Sequence, residues 1–382
     1  MSQTVDPIVQ DRPLRTERMQ INFGPQHPST HGVLRLLVTT DGEFVEEVEP
    51  IIGYLHRCKE KIAENVTYGQ FMPYSDRLDY LAAMNCNWAW ALAVEKLAGI
   101  KVTERCEYIR VIMGELGRIA SHLVAVGCFG NDVGTFTPFL YCFHEREKIL
   151  DMFEMVCGAR LTCHYYRIGG LANDLPPEFV PACRTFLDPF EKRLDEINTL
   201  LSENYIFVKR TANVGVFPAK VALEYGLTGP NLRASGVPRD LRRVAPYSIY
   251  DRLRFDVIVG QGFKGTLGDC WDRYYCRVLE MRESVRIIRQ CLDQLPDGEF
   301  RTKLPAVFRP PKGHGFFAAE NPKGELGFYI VSDGTPKPAR VHVRAPSFFH
   351  VSILPAVCKG VMIADLIAIL GSLDIVLGEV DR

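Results

Sequence analysis

The loop Gly24-Pro25-Gln26-His27-Pro28-Ser29-Thr30-His31-Gly32 sets two imidazoles and two hydroxyls on a segment whose glycines and prolines limit its shape. A fixed backbone presents a proton donor at little entropic cost, and imidazole titrates near neutral pH, so the loop suits proton transfer. The alternative is a turn whose histidines cap nearby carbonyls. A second group is Ser75-Asp76-Arg77-Leu78-Asp79-Tyr80. Arg77 and Tyr80 are three apart, so at the start of a helix they share a face, and a cation beside a phenol favours the phenolate. The alternative is a surface capping segment with an Asp–Arg pair. In Gly130-Asn131-Asp132-Val133-Gly134, Asp132 could orient a histidine from elsewhere or simply sit in a helix-ending turn. Glu115, Arg118 and His122 form a polar stripe, and such stripes are usually solvated faces.

These groups need elements to hold them. Residues 19–23, 33–39 and 44–48 are expected to be strands, with Asp41-Gly42 turning the second into the third. The histidine loop lies between the first two. From Gly53 the period becomes helical, and Ile109, Ile112, Met113, Leu116, Ile119, Ala120 and Leu123 keep one face across 103–126. Another helix is expected to begin near Ser75-Asp76 and to carry Leu81, Met84, Trp88 and Leu92 on one face. Further helices are expected near 138–158, 178–204, 271–294 and 355–370. Strands and loops are expected over 206–266, and a hairpin from 327–331 and 340–343 around Asp333-Gly334. Residues 1–17 are expected to be an exposed arm. No internal repeat or linker divides the rest, so the expected fold is one α+β domain over 18–382. It comprises a β sheet with the histidine loop at 18–52, a mainly helical part at 53–300 and an α+β portion at 301–382.

Lys plus Arg total 45 against 46 Asp plus Glu. That balance argues against a nucleic-acid binder, which needs a basic excess to neutralise phosphates. No stretch approaches the ~20 uninterrupted apolar residues of a membrane span. The best candidate, Val361 to Leu377, is broken by Asp365 and Asp374 and is expected to be a buried helix and turn. The first residues lack the basic-then-apolar pattern of a signal peptide. Twelve cysteines without that pattern point to a reducing compartment. Because no Cys-x-x-Cys occurs, no zinc or iron–sulfur cage is expected, and most of the thiols should be small buried hydrophobes. Neither Gly-x-x-x-x-Gly-Lys nor a strand-linked Gly-x-Gly-x-x-Gly is present, which speaks against nucleotide binding.

Taken together, several segments resemble one family. The run Phe23 to Arg35 looks like the signature loop of the 49-kilodalton subunit family of respiratory NADH:quinone oxidoreductase, complex I. Gly53-Tyr54-Leu55-His56-Arg57 with Glu60-Lys61, Arg167-Ile168-Gly169-Gly170, Arg233-Ala234-Ser235-Gly236, Tyr329 to Gly334 and Gly378-Glu379-Val380-Asp381-Arg382 match it in order. The resemblance spans residues 18 to 382. It implies a fold like the nickel–iron hydrogenase large subunit, without the metal. It also implies a place at the aqueous face of the bacterial inner membrane (the matrix side in mitochondria), alongside other peripheral-arm subunits and the membrane arm. The chain would form one wall of the quinone cavity, against a partner that carries the terminal iron–sulfur cluster. His31 matches the histidine that hydrogen-bonds the quinone head group, Tyr80 the tyrosine on its other side, and Asp132 the aspartate paired with that histidine. Arg77 matches an arginine near the partner's cluster, and His27 falls in the quinone loop. Quinone is then a substrate, and this chain itself holds no cofactor.

Two rivals are weighed against this. A hydrogenase large subunit needs two Cys-x-x-Cys pairs, but those positions hold Asp76-Arg77-Leu78-Asp79 and Asp374-Ile375-Val376-Leu377-Gly378. A scaffold without quinone chemistry is the second rival, and the joint presence of His31, Tyr80 and Asp132 argues against it. The chain departs from the family pattern at 296–323, which is short. It departs also at Thr162, where many members have a histidine near the partner's cluster. If that histidine couples cluster reduction to protonation, the cluster's midpoint potential should depend only weakly on pH here. A redox titration of the assembled complex that returns a strong dependence would overturn this expectation.

Overall fold

The computed structural model describes residues 17–305 and 307–382, so the arm expected at 1–17 lies almost wholly outside the described residues. Strands Arg18–Phe23, Arg35–Asp41 and Phe44–Ile51 form an antiparallel sheet in chain order. In the middle strand Leu36, Val38 and Thr40 point inward and alternate with half-buried neighbours, the period-2 signature of a sheet with one covered face. Gly42, at φ 59°, makes the turn into the third strand.

The centre is the helix Glu104–Asp132, packed by the helices Ala83–Ala98, Thr137–Cys157, Cys270–Asp293 and Ile363–Leu373. It has the length and apolarity of a membrane span, yet 94% of its most apolar window is covered by the rest of the chain. Being surrounded, it has no solvated face, so the expected exposed stripe is overturned. Glu115, Arg118 and His122 are fully buried. They persist there because each finds a counter-charge. Arg118 Nε meets Glu115 at 3.1 Å and His122 Nε2 meets Glu280 at 2.9 Å. Arg242 bridges Glu115, Asp240 and Glu280, and Arg233 bridges Glu280 and Glu320. A buried charge is tolerated only when paired and hydrogen-bonded.

Other expectations are corrected in detail. The helix expected from Ser75-Asp76 begins at Ala83. The Asp79 carboxylate accepts from Leu81 N and caps a separate 3-10 turn, Tyr80–Ala82. Over 206–266 there are no strands among the described residues but short helices, Tyr205–Thr211, Ala219–Glu224, Pro230–Ala234 and Leu241–Val244. Prolines 218 and 230 begin or precede helices rather than break strands, since proline fits the first helical turn. The helix expected over 355–370 is split into Leu354–Val357 and Ile363–Leu373 around Gly360, at φ 80°. The hairpin Gly324–Ser332 with Arg340–Arg344 is present, and a third strand, Gly313–Asn321, pairs on its other side. The fold is mixed helix and sheet, with small antiparallel sheets at both ends of the chain. Nine of the twelve cysteines are buried, as expected of small apolar side chains.

Candidate functional site

The histidine loop is braced from within. Thr30 is buried and its hydroxyl donates to His27 O at 2.7 Å, while His27 Nδ1 accepts from Ser29 N at 3.2 Å. Gly24, at φ 80°, packs so closely that a Cβ would lie 2.0 Å from Leu34 O. These contacts hold His31 in a left-handed conformation, φ 51°, with its ring toward the end of the long helix. There His31 Nε2 and Asp132 Oδ2 are 2.6 Å apart across a separation of 101 residues. The helix Ile363–Leu373 approaches this carboxylate at Gly371, where a Cβ would stand 2.6 Å from Asp132 Oδ2. Burial alone would lower the His31 pKa, but the hydrogen bond and the charge of Asp132 outweigh it and raise it above the ordinary histidine value.

His31, Asp132, Tyr80 and Asp374 share a cavity of about 230 Å³, whose other walls include Val124 and Val376. The phenol of Tyr80 has its pKa raised, first by burial and then by Asp79, with Lys323 and Arg57 opposing. This reverses the effect expected from Arg77, whose guanidinium turns back to Pro73 O and stands 4.0 Å from Asp76. Arg77 lines a second cavity of about 470 Å³ with Arg57, Lys59 and Tyr74. Burial, then Arg57, draws the Lys59 ammonium down to about 7. His27 lines neither cavity. Its ring packs edge-on against Phe23 at 5.7 Å and caps its own turn. Thr162 is half-buried in the loop that leads to His164 and Arg167. Burial lifts the nearby Asp76 carboxyl to about 7, against the opposing pull of Asn87, Arg77 and Arg167.

Behind the first cavity lies a group that no sequence pattern pointed to. The Lys323 ammonium, fully buried in the turn between strands Gly313–Asn321 and Gly324–Ser332, stands 3.4 Å from Asp79 Oδ2 and 3.4 Å from Asp374 Oδ2. Its hydrogen bond to Ser121 Oγ, 3.0 Å, ties it to the long helix. Glu379, also fully buried, accepts from Ser347 N at 3.0 Å. Burial and the charge of Asp79 push its pKa up to about 8. Asp374 left one signal in the sequence, a charge inside an otherwise apolar run. Lys323, in a surface-like Asn-Pro-Lys-Gly turn, left none.

The family description "Respiratory-chain NADH dehydrogenase, 49 Kd subunit" matches residues 132–310 and 302–382. The D subunit of NADH-quinone oxidoreductase from Clostridium beijerinckii is 53% identical over 97% of this chain and 99% of its own. The protein of the same name from Desulforamulus reducens is 53% identical over 96% and 99%, and that from Chlorobium chlorochromatii 51% over 100% and 96%.

Proposed function

Because the chain belongs to the 49-kDa subunit family of respiratory-chain NADH dehydrogenase, we propose that its first cavity receives the head group of a quinone. As a subunit of NADH-quinone oxidoreductase the chain acts only within an oxidoreductase complex. The observation that carries the reading is the His31–Asp132 pair opening onto the same largely apolar cavity as the Tyr80 phenol. Reduction of a quinone to a quinol takes two electrons and two protons. The electrons come from an iron–sulfur cluster on a neighbouring subunit. This chain supplies hydrogen bonds and protons at the two carbonyl oxygens. His31, its hold on a proton strengthened by Asp132, donates at one oxygen. Tyr80, kept neutral by burial and Asp79, donates at the other once reduction has made that oxygen basic. The loss of both protons leaves changed charges in a buried site, and these are the trigger for movement toward the membrane arm and so for proton translocation.

The same reading takes residues 18–382 as one unit related to the nickel–iron hydrogenase large subunit. The two stretches that would carry that enzyme's cysteines, 76–79 and 374–378, converge here on the Lys323 ammonium through Asp79 and Asp374. The cavity of Arg57, Lys59, Tyr74 and Arg77 is then the side turned to the cluster-bearing partner. The subunit sits at the aqueous face of the membrane, with the other peripheral-arm subunits and the membrane arm as its neighbours.

Asp132→Asn tests the proposal through its pH profile. A histidine with a raised pKa keeps its proton to higher pH, so the wild-type rate should fall as the pH rises through that raised value. The amide removes the ion pair but not the burial. The fall should then move to lower pH, below the ordinary value of about 6.5. Quinone reduction is followed against pH in membranes, scaled to NADH oxidation by an artificial acceptor. An unmoved profile in an assembled complex would rule out His31 as the titrating donor.

A further inference from the structure

We propose that the buried Glu379, together with Asp79 and Asp374 on either side of the Lys323 ammonium, forms a proton store on the core side of the cavity that reprotonates Tyr80 after each quinone reduction. The proposal rests on the quinone reading of that cavity. Its first support is a buried carboxyl without an ion-pair partner. Asp79 and Asp374 share Lys323 at 3.4 Å each, and Arg277 stands 3.7 Å from Asp374. Among the described residues no cation stands within ion-pairing distance of Glu379, which is fully buried and so is the carboxyl most stable holding a proton. Within the described residues Asp79 Oδ2, Asp374 Oδ2 and Glu379 Oε2 each lack a hydrogen-bond donor, which leaves sites where a shared proton can reside.

Position supplies the second support. Asp79 precedes Tyr80 in the chain and its charge acts on the phenol, while Asp374 lines the cavity and its charge acts on His31. The groups that act on Glu379 come from several elements. They are Lys59, Asp79, Cys86, Lys323, Arg344 and the hydroxyl of Ser347. Lys59 lies between the store and the second cavity, since its ammonium donates to Gly378 O at 3.1 Å and lines that cavity.

The Tyr80 O–H bond breaks as an O–H bond forms on the reduced quinone, leaving a phenolate. A carboxyl of the store then gives its proton to the phenolate oxygen and becomes a carboxylate. Water reaching Lys59 returns one proton to the store. No electrons move in these transfers.

The test is Glu379→Gln in membranes with assembled complex, reading kcat and KM for quinone from acid pH to beyond pH 8. A raised carboxyl holds its proton below about 8 and loses it above, so the wild-type kcat should fall as the pH rises through that value. The amide variant should lose at least about threefold in kcat at neutral pH, with KM unchanged and with that fall absent. Asp132→Asn, by contrast, should move only the histidine-dependent fall. Glu379→Asp, which keeps the carboxyl, should retain the fall with a shifted midpoint, and it carries the test if the amide does not assemble. Wild-type kcat and profile in Glu379→Gln, a change in KM alone, or an unshifted midpoint in Glu379→Asp overturns the store. If His31→Ala also leaves quinone reduction intact, the quinone reading has failed rather than the store.

Discussion

His31→Ala is expected to lower quinone reduction by at least tenfold, about 1.4 kcal/mol in the barrier, while NADH oxidation by an upstream artificial acceptor persists. The effect follows from the role proposed for the side chain. A positioned general acid contributes about 10²–10⁴-fold in typical enzymes, so tenfold is the conservative end. The loss should not be one of folding. His31 is only partly buried, and its loop is held by Thr30, His27 and Gly24 rather than by its own ring. Among the described residues its sole side-chain partner is Asp132. Removing the ring leaves Asp132 facing the cavity, where water can replace the bond. Complex on a native gel should therefore be near wild-type in amount. If both activities persist in a fully assembled complex, His31 is structural and the scaffold reading takes its place.

The parts of this site that the sequence made legible are those held by local rules. The strands around the histidine loop followed from period-2 alternation and an Asp-Gly turn, and the long helix from its 3.6-residue stripe. At the helix end Asp132 was legible only as either an orienting carboxylate or a turn residue, and its pairing with His31, 101 residues away, was an expectation from the family resemblance; the two side chains stand 2.6 Å apart. What escaped was whatever depends on tertiary surroundings. Arg77 and Tyr80 share no helical face, because Arg77 lies before the 3-10 turn Tyr80–Ala82 that Asp79 caps, and the helix proper starts only at Ala83. The sign of the Tyr80 shift then follows from burial and Asp79, neither visible from a three-residue spacing. The stripe Glu115, Arg118 and His122 looked like a solvated face because helical periodicity cannot distinguish water from charged side chains supplied by other segments. Here those are Arg233 and Arg242 with Asp240, Glu280 and Glu320.

The two charge systems inside the molecule differ in what they can do. Beside the Lys323 pairs lies Glu379, a buried carboxyl with no cation at ion-pairing distance among the described residues, so a proton can reside on it and move. Around Glu280 both carboxylate oxygens are engaged: Arg233 Nη2 at 2.9 Å and Arg242 Nη2 at 2.8 Å on one, and His122 Nε2 at 2.9 Å on the other. The Glu280 carboxyl is held well below the ordinary range, because the arginines and His122 overcome the cost of burial. Such a group is a clamp. It joins the long helix, whose last turns line the cavity of His31 and Tyr80, to the helix Cys270–Asp293 and to the short helices at 230–244.

Glu280→Ala should therefore abolish the folded subunit rather than slow it. Deleting one partner of a buried ion cluster costs about 3–5 kcal/mol, because Arg118, Arg233 and Arg242 are left with too little negative charge. A domain is stable by only about 5–15 kcal/mol, so the loss is a large share of the whole. The direction with pH is set by the depressed pKa. The stabilisation from Glu280 is fully present above the unfolded carboxylate value of about 4.3, and is lost only as the pH falls from there toward the lower folded value. Neutral conditions therefore reveal the full effect of the mutation. The expected result is little or no assembled complex on a native gel, with the chain degraded or aggregated and both activities lost together. Arg160→Ala is the contrast, since Arg160 holds Glu147, Asp151 and Glu154 in full view of solvent and should leave assembly unchanged. Glu280→Ala membranes with wild-type amounts of complex and wild-type heat stability would show that the arginines find other partners or water, and that the cluster is not the clamp described.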